Sequence, residues 1–553
     1  MSTDTDLDAR PATVDDAPRT EPRDPAVAPA RPAAAPAAET PTRTDPPSGT
    51  GGGNGWIVPL LVLVAGMFMS VLDISIVNVA ITTMQNDFGA TTDEMQWVST
   101  AYSLAEGVVV PASAWLGIRY GLGRVYTIAM IFFAIFSTLC GFAWDINSII
   151  AFRILQAIPG GVIPVVALAA LYKIVPKDKL GAAMGIYGLG IIFAPAIGPT
   201  LGGYLVEYVN WRLIFFINVP IGVVGVLAAI FFLPKFSQTR GRKLDVPGFA
   251  AVAVGLFSML LALHEGPTWG WTSYPTLILL TVGVLALALF VVIELEVDEP
   301  LLDLRVFLHW PFTNSLLLIA IISMGLFGVL FYIPVFLQQY QGMGAFETGL
   351  LLLPQALVMA FVMPAAGFIY DKIGARIPAA IGLAIVAYTT WELAGMTIDV
   401  SHGHLEMLLA ARAAGIGLAM MPIMTGGLGS LPSFLSENGS AVNTLVQRAS
   451  SAIGLAAMTA MMTIQQAQAS ADRSGLVDPS MVGGSASLAG GAGGGSGMLE
   501  TYQMYSNLQS QVFVTAMNDL LYATAILTAL GVPLALMLKH GKPAPSDGPA
   551  MAH

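Results

Sequence analysis

Apolar residues run along this chain in long blocks separated by short polar breaks, and the blocks have the length of a bilayer. A helix rises about 1.5 Å per residue, so roughly 20 apolar residues cross about 30 Å of hydrocarbon. Fourteen segments reach that length. They lie at about 56–81, 95–117, 125–144, 147–171, 181–205, 213–233, 247–264, 275–294, 312–338, 346–370, 376–397, 404–428, 441–466 and 514–538. The seventh is the shortest. The pattern predicts an all-α integral membrane protein with fourteen transmembrane helices.

Composition agrees: of 553 residues, 55% are hydrophobic and 11% charged, with a mean hydropathy of +0.72. A soluble domain carries about 25% charged residues, so a soluble globule is excluded. The balance of 24 Lys+Arg against 35 Asp+Glu argues against nucleic acid, which needs clustered basic side chains. Loops on the cytoplasmic side collect Lys and Arg. With the N-terminus inside, Arg119, Arg124, Lys173, Lys177, Lys179, Lys235, Arg240, Arg242, Lys243, Arg305, Lys372, Arg376, Lys539 and Lys542 all fall there, against Arg212 and Arg473 outside. The expected location is a bacterial cytoplasmic membrane, multi-pass, with both termini in the cytoplasm. Residues 1–55 lack an apolar core and read as a disordered cytoplasmic tail, not a signal peptide. The outer segment 467–513 opens on Gly/Ser/Ala low complexity and reads as a flexible connector; Met498–Val512 has the makings of a short amphipathic helix.

Chemistry-bearing motifs are missing from the sequence. The single cysteine, Cys140, closes no intrachain disulfide, and His402 and His404 lack the carboxylates or thiolates a metal site requires. No HExxH, GxSxG or Walker sequence occurs, so neither enzyme catalysis nor ATP-driven pumping has its parts. No cofactor and no metal are expected.

The chain repeats itself. Ala114-Trp-Leu-Gly-Ile118-Arg119-Tyr-Gly121 after span two has the spacing of Gly367-Phe-Ile-Tyr-Asp371-Lys372-Ile-Gly374 after span ten. Arg153 precedes Pro164 in span four as Arg412 precedes Pro422 in span twelve. Spans one to six therefore align with nine to fourteen, giving a 6+2+6 arrangement. Two halves of even helix number share an orientation and are related by an axis normal to the membrane, with the substrate site near the midplane between them. The domains follow as 56–234 for the first bundle, 235–311 for two inserted helices, 312–538 for the second bundle with its outer loop, and 539–553 for a cytoplasmic tail.

These motifs resemble those of the fourteen-helix drug:proton antiporters of the major facilitator superfamily, of the EmrB/QacA type, over about residues 56–540. Leu72-Asp73-Ile-Ser-Ile-Val-Asn78-Val-Ala80 is similar to that group's first-helix motif and Arg153-Ile-Leu-Gln156-Ala-Ile-Pro-Gly160 to its fourth. Gly185, Ala194, Gly198, Pro199 and Gly202 resemble the antiporter motif of helix five, with one glycine replaced by alanine. Asn210-Trp211-Arg212 through Asn218-Val-Pro220-Ile-Gly222 and Asp245-Val-Pro-Gly248 match further. The loop motif departs from the family pattern, because Ala114 and Ile118 stand at its glycine and aspartate positions and only Arg119 and Gly121 remain. Since Asp371, Lys372 and Gly374 persist, the resemblance implies a charge clasp on the inner side that operates mainly from the second half.

Ionisable side chains inside spans are costly and are functional candidates. Asp73 and Arg153 sit at similar depths and are expected to interact across the cavity. With Glu106 they form the expected proton-coupling set, since a carboxyl can exchange a proton for an interaction with cationic cargo. For Asp73 the competing role is capping or bonding a neighbouring helix; for Glu106 it is a hydrogen bond among helices, with Ser103 one turn away; for Arg153 it is structural anchoring. Arg412, Arg448 and Glu392 are further candidates for coupling or substrate binding, with snorkelling as the alternative for the arginines and an Arg412 partner or water as the choices for Glu392. Phe331 and Tyr332 are placed to line a cavity for flat cations. Ala194, Gly198 and Gly202 recur every four residues, which predicts a close contact between the halves. The resemblance implies proton-coupled efflux of amphipathic, cationic compounds by alternating access. Two rivals remain: export of a lipid, siderophore or metabolite on the same fold, and a membrane sensor or scaffold that transports nothing. The partners are a small-molecule substrate, protons and the lipid bilayer, and the resemblance admits a periplasmic adaptor on the outer segment.

Overall fold

The computed structural model describes residues 55–236, 238, 243–474 and 494–538. The tails predicted at 1–55 and 539–553, including Lys539 and Lys542, lie outside the described residues save for Gly55, as do Arg240 and Arg242. The long apolar runs form helices α1 (Ile57–Phe88), α2 (Thr92–Tyr120), α3 (Leu122–Gly141), α4 (Ile146–Ile174) and α5 (Leu180–Tyr208). A broken pair follows, α6 (Leu213–Phe216) and α7 (Asn218–Phe232), and then α8 (Val246–Trp269) and α9 (Tyr274–Glu296). The second half comprises α10 (Trp310–Gln339), α11 (Ala345–Ile373), α12 (Arg376–Leu393), α13 (His402–Gly429), α14 (Ser436–Ser474) and α15 (Gly494–Leu536). The outer segment is therefore helical at both ends, and residues 475–493 lie outside the described residues.

Among the described residues, twelve helices are long and apolar enough to cross a membrane, α6 and α7 counting as one. Two of the fourteen predicted spans, 376–397 and 441–466, fold as α12 and α14 but do not belong to that set. The reason in α14 is its polarity: Asn438, Asn443, Thr444 and Arg448 punctuate a helix that packs against α2, α4, α8, α10 and α15.

Local signals fix the helix ends. Thr91 and Glu94 form a capping box before α2, and Asp145 and Ser148 one before α4. Gly121 and Gly374 close α2 and α11 at φ +88° and +81°, a backbone conformation that favours glycine. Both glycines come from the repeated loop motif, so the repeat recurs as backbone geometry.

The halves also resemble one another in burial. The repeat-related helices α4 and α13 have the most buried apolar stretches of the twelve, whereas that of α9 is only 17% buried and presents mainly an outer surface. Contact between halves runs along two seams, α5 against α11 and α2 against α14, and α8 packs on both α2 and α14. The ends of α2, α4 and α11, together with the starts of α5 and α14, share one face. That face carries Arg119, Lys173, Lys177, Lys179 and Lys372 and is termed the basic face below.

Candidate functional site

Asp73 lies in α1, fully buried, and gathers donors from three neighbours. Arg153 of α4 forms an ion pair with it, Gln156 Nε2 donates at 3.0 Å and Asn218 Nδ2 at 2.8 Å. Asn218 also donates to Ser137 Oγ at 3.0 Å, and Ser137 donates to the Phe215 carbonyl at 2.8 Å. The break between α6 and α7 is thus tied to α3. The Arg153 guanidinium sits 3.9 Å from the ring centroid of Tyr102 on α2, a cation–π contact. The expectation that Asp73 and Arg153 meet across a cavity is not met. They meet inside the first bundle, because the partners of the pair come from α1, α2, α4, α6 and α7 and together these exclude solvent from both groups.

The second centre joins the halves. Glu106 lies fourteen residues from either end of α2, at mid-depth. Arg448 grips it with two hydrogen bonds of 2.6 Å from α14, the bidentate geometry that makes carboxylate–guanidinium pairs strong. Glu106 is fully buried while the Arg448 side chain remains 30% exposed. The roles considered for these residues separately, a bond to Ser103 and snorkelling at a helix end, give way to this mutual pair. Glu106 and Tyr102 stand one turn apart on α2, so one helix face carries both the bridge to the second half and the ring beneath Arg153. Beside them α8 closes the seam: Leu260 abuts Gly107 and His264 shares a 3.1 Å hydrogen bond with Thr100.

A third centre lies at the basic face. Asp371 of α11 accepts hydrogen bonds from the backbone N–H groups of Gly181 (2.8 Å) and Ala182 (3.1 Å) at the start of α5, where helix N–H groups lack internal partners and the helix dipole favours an anion. The equivalent carboxylate of the first half is absent, since Ile118 replaces it. In its place Glu437, in the first turn of α14, packs beside Gly117 and forms an ion pair with Lys173 of α4. Both carboxylates that tie this face, Asp371 on α11 and Glu437 on α14, therefore belong to the second half, and the α14 seam carries its own ionic link to Lys173. Tyr172 adds a hydrogen bond to the Met424 and Thr425 carbonyls, each at 3.4 Å. Arg119 lies against Tyr120, and Lys372 is exposed.

The small residues of α5 do two jobs, and the predicted division is corrected. A Cβ on Gly198 would lie 1.9 Å from Ser75 Oγ, and one on Gly202 2.8 Å from Ile76 Cγ1. These glycines therefore pack on α1 within the first half. Ala194 is buried on the same helix, and Pro199 continues it. The contact between halves belongs to Gly181, Gly185 and Gly188, nearer the basic face. A Cβ on Gly181 would fall 2.2 Å from the Gly367 carbonyl oxygen, and one on Gly185 2.5 Å from Pro364 Cα. The four-residue spacing marked closeness correctly, and only the partner helix distinguishes the two sets.

The remaining candidates disperse. Arg412 does not meet Glu392; its Nε donates to Thr390 Oγ1 at 3.1 Å and its Nη2 to the Gly325 carbonyl at 2.8 Å, while Glu392 is exposed. Tyr332 is buried and donates to Thr459 Oγ1 at 3.2 Å. Phe331 is 50% exposed and stacks edge-on against Tyr332, so the two do not line one surface. Residues the sequence reading passed over, Tyr102 as the ring beneath Arg153 and Glu437 with Lys173 as a link between halves, carry a common signal for the charged pair: each charge stands at a helix end on the basic face. Among the described residues no group of His, Cys, Asp and Glu is arranged to hold a metal ion.

Comparison with known proteins adds the ancestry. Residues 63–455 match the model of the Major Facilitator Superfamily. An MFS-type transporter of Bacillus subtilis, YhcA, is 36% identical over 404 residues, covering 73% of this chain and 76% of its own. The tetracenomycin C resistance and export protein of Streptomyces glaucescens is 31% identical over 368 residues, covering 66% and 68%. Among solved structures, the proton:xylose symporter XylE superposes with a TM-score of 0.57 at 13% identity, covering 88% of this chain and 97% of that one, a likeness of fold.

Proposed function

The chain belongs to the major facilitator superfamily and is a multi-pass membrane transporter, not an enzyme, and from that premise we propose that it exports amphipathic cationic compounds in exchange for protons. Within this reading it is a fourteen-helix antiporter of the EmrB/QacA type, seated in a bacterial cytoplasmic membrane with its basic face towards the cytoplasm. The conformation described above is then the one latched shut on the cytoplasmic side. Relatives named for drug resistance and export favour such cargo.

The observation that carries the proposal is the Glu106–Arg448 bridge. It joins the halves at mid-depth, where alternating access requires a link that can open. Protonating Glu106 removes the charge that holds Arg448, and the halves lose their central tie. Deprotonation restores it, or lets a cationic cargo take the place of Arg448. Asp73 and Arg153 hold α1, α4 and α7 as one rigid block on the far side of Tyr102, so movement of α2 is transmitted to a bundle that does not deform. At the basic face the Asp371 cap and the Lys173–Glu437 pair open and close with the rocking of the halves.

The test is efflux of a cationic dye from liposomes holding the purified protein, driven by an imposed pH gradient. The wild type should accelerate efflux as the gradient steepens, and Glu106→Gln should lose that dependence. Dependence on the gradient unchanged in Glu106→Gln would remove the proton role of this carboxyl.

A further inference from the structure

Tyr102 carries a hydroxyl that nothing in this conformation uses. The residue is 1% exposed, and its Oη is enclosed without a hydrogen-bond partner, the only tyrosine hydroxyl so placed among the described residues. Tyr126 and Tyr187 show the usual arrangement. Tyr126 Oη donates to the Val62 carbonyl at 2.7 Å and accepts from the Gly66 N–H at 3.1 Å, and Tyr187 Oη donates to the Pro164 carbonyl at 3.2 Å. A buried hydroxyl without a bond is unfavourable, so one that is kept points to a partner that arrives in another state. A second orphan lies beside it. The Arg153 guanidinium rests on the Tyr102 ring; its Nη1 serves Asp73 and Gln156, whereas its Nε–H is buried with no acceptor.

Both orphans can donate, and one carboxylate would satisfy both. Glu106 follows Tyr102 by one turn on the same face of α2. Two adjacent glycines of α4 let the pair settle close to its backbone: a Cβ on Gly160 would lie 2.5 Å from Tyr102 Oη, and one on Gly161 3.2 Å from Glu106 Cγ. The hydroxyl and the stem of the carboxylate therefore rest over neighbouring residues of one helix. The charges that act on Glu106 are Arg448 of α14, Arg153 of α4 and Asp73 of α1. Of the other helices packed on α2, α8 brings His264, bonded to Thr100 six residues away, and α3 brings no charged group that acts on it. Once Arg448 withdraws, Arg153 is the one cation left to Glu106.

We propose that Tyr102 Oη–H and Arg153 Nε–H form a second seat for the Glu106 carboxylate, which it takes when the halves part and Arg448 is withdrawn. This seat presupposes the proton exchange proposed above. Tyr102 is a positioning residue: it shares its proton with the carboxylate and gives none up. With the seat in place the carboxylate stays charged without Arg448, so the proton it carried passes to water on the side to which the halves have opened. A hydrogen bond to the charged form favours that form, and without the hydroxyl the proton is held to higher pH.

The test is dye efflux from liposomes under a constant pH gradient whose absolute pH is varied, with the melting temperature of the same purified full chains. Tyr102→Phe keeps the ring on Arg153 and removes only the hydroxyl. Since that hydroxyl has no partner in this conformation, the melting temperature should match that of the wild type, while the pH of half-maximal efflux should rise by roughly one unit, as expected for a lost hydrogen bond to a charged group. Tyr126→Phe should do the reverse, breaking bonds already made: the melting temperature falls and the pH profile stays. Glu106→Gln separates the seat from the reading beneath it. A Glu106→Gln variant that loses its pH dependence beside a Tyr102→Phe variant with the wild-type pH profile, whatever its melting temperature, overturns the seat and leaves proton exchange at Glu106 standing. Wild-type pH dependence in Glu106→Gln overturns both.

Discussion

At the scale of single residues, the in-membrane charges divide into one kind that holds a bundle together and another that ties two bundles. Asp73 accepts from three side chains and lies wholly within the first half, so its removal leaves Arg153 buried without a counter-ion. Breaking a buried pair in this way costs about 3–5 kcal/mol. Asp73→Ala should therefore lower the melting temperature of the purified protein and its yield. Glu106→Gln keeps a hydrogen-bonding group opposite Arg448 and should spare stability while removing the response of transport to a pH gradient. Equal loss of stability in both variants would contradict the division. Much of this was legible in the sequence, since a carboxylate or a guanidinium amid apolar residues announces itself. The pairing was not. Glu106 and Arg448 are 342 positions apart, and no local pattern says which of several buried charges faces which. The same limit explains why Asp73 and Arg153, correctly matched by depth, were placed on opposite walls of a cavity instead of inside one bundle.

At the scale of helices, α5 carries two sets of small residues whose substitution should have different consequences. Gly181→Ala puts a Cβ 2.2 Å from the Gly367 carbonyl oxygen and drives α5 away from α11 at the basic face. Gly198→Ala puts one 1.9 Å from Ser75 Oγ, where Ser75 donates to the Pro195 carbonyl at 3.1 Å, and separates α5 from α1 within the first half. The first variant should raise the reactivity of a cysteine introduced at Lys177 towards a membrane-impermeant thiol reagent. Cys140, the chain's single cysteine, is buried and contributes little background. The second should lower thermal stability and leave that reactivity unchanged. The length and order of the helices could be read from apolar runs because hydrocarbon thickness sets them, whereas α14 illustrates where such reading weakens. A helix packed against several others can carry Asn, Thr and Arg on its packed faces, so its span is less apolar than one with few neighbours. The run of α14 at 441–466 still reaches bilayer length, and the repeat then aligns it with span five.

At the scale of the whole molecule, the two halves are locked at the basic face by unlike devices that act together. Asp371 caps α5 from α11, and Lys173 pairs with Glu437 across the other seam. Lys173→Glu should weaken the lock through like-charge repulsion with Glu437, and Lys173→Glu with Glu437→Lys should restore it. Distances between spin labels on the ends of α4 and α14 would lengthen in the single variant and return in the double. A single variant with the distances of the wild type would show that the pair bears no load in the lock. The repeated motif pointed only to the Asp371 clasp, because Ile118 carries no charge and the carboxylate of the other seam, Glu437, sits on α14 outside that motif. The most direct measurement of the account as a whole is the proton flux that accompanies cargo movement. In liposomes loaded with a pH-sensitive dye, a gradient of cationic cargo alone should drive protons the opposite way through the wild type. In Glu106→Gln that flux should vanish while some cargo still crosses. Cargo movement through the wild type with no accompanying proton flux, or a flux of the same size in Glu106→Gln, would contradict proton exchange at the Glu106–Arg448 bridge.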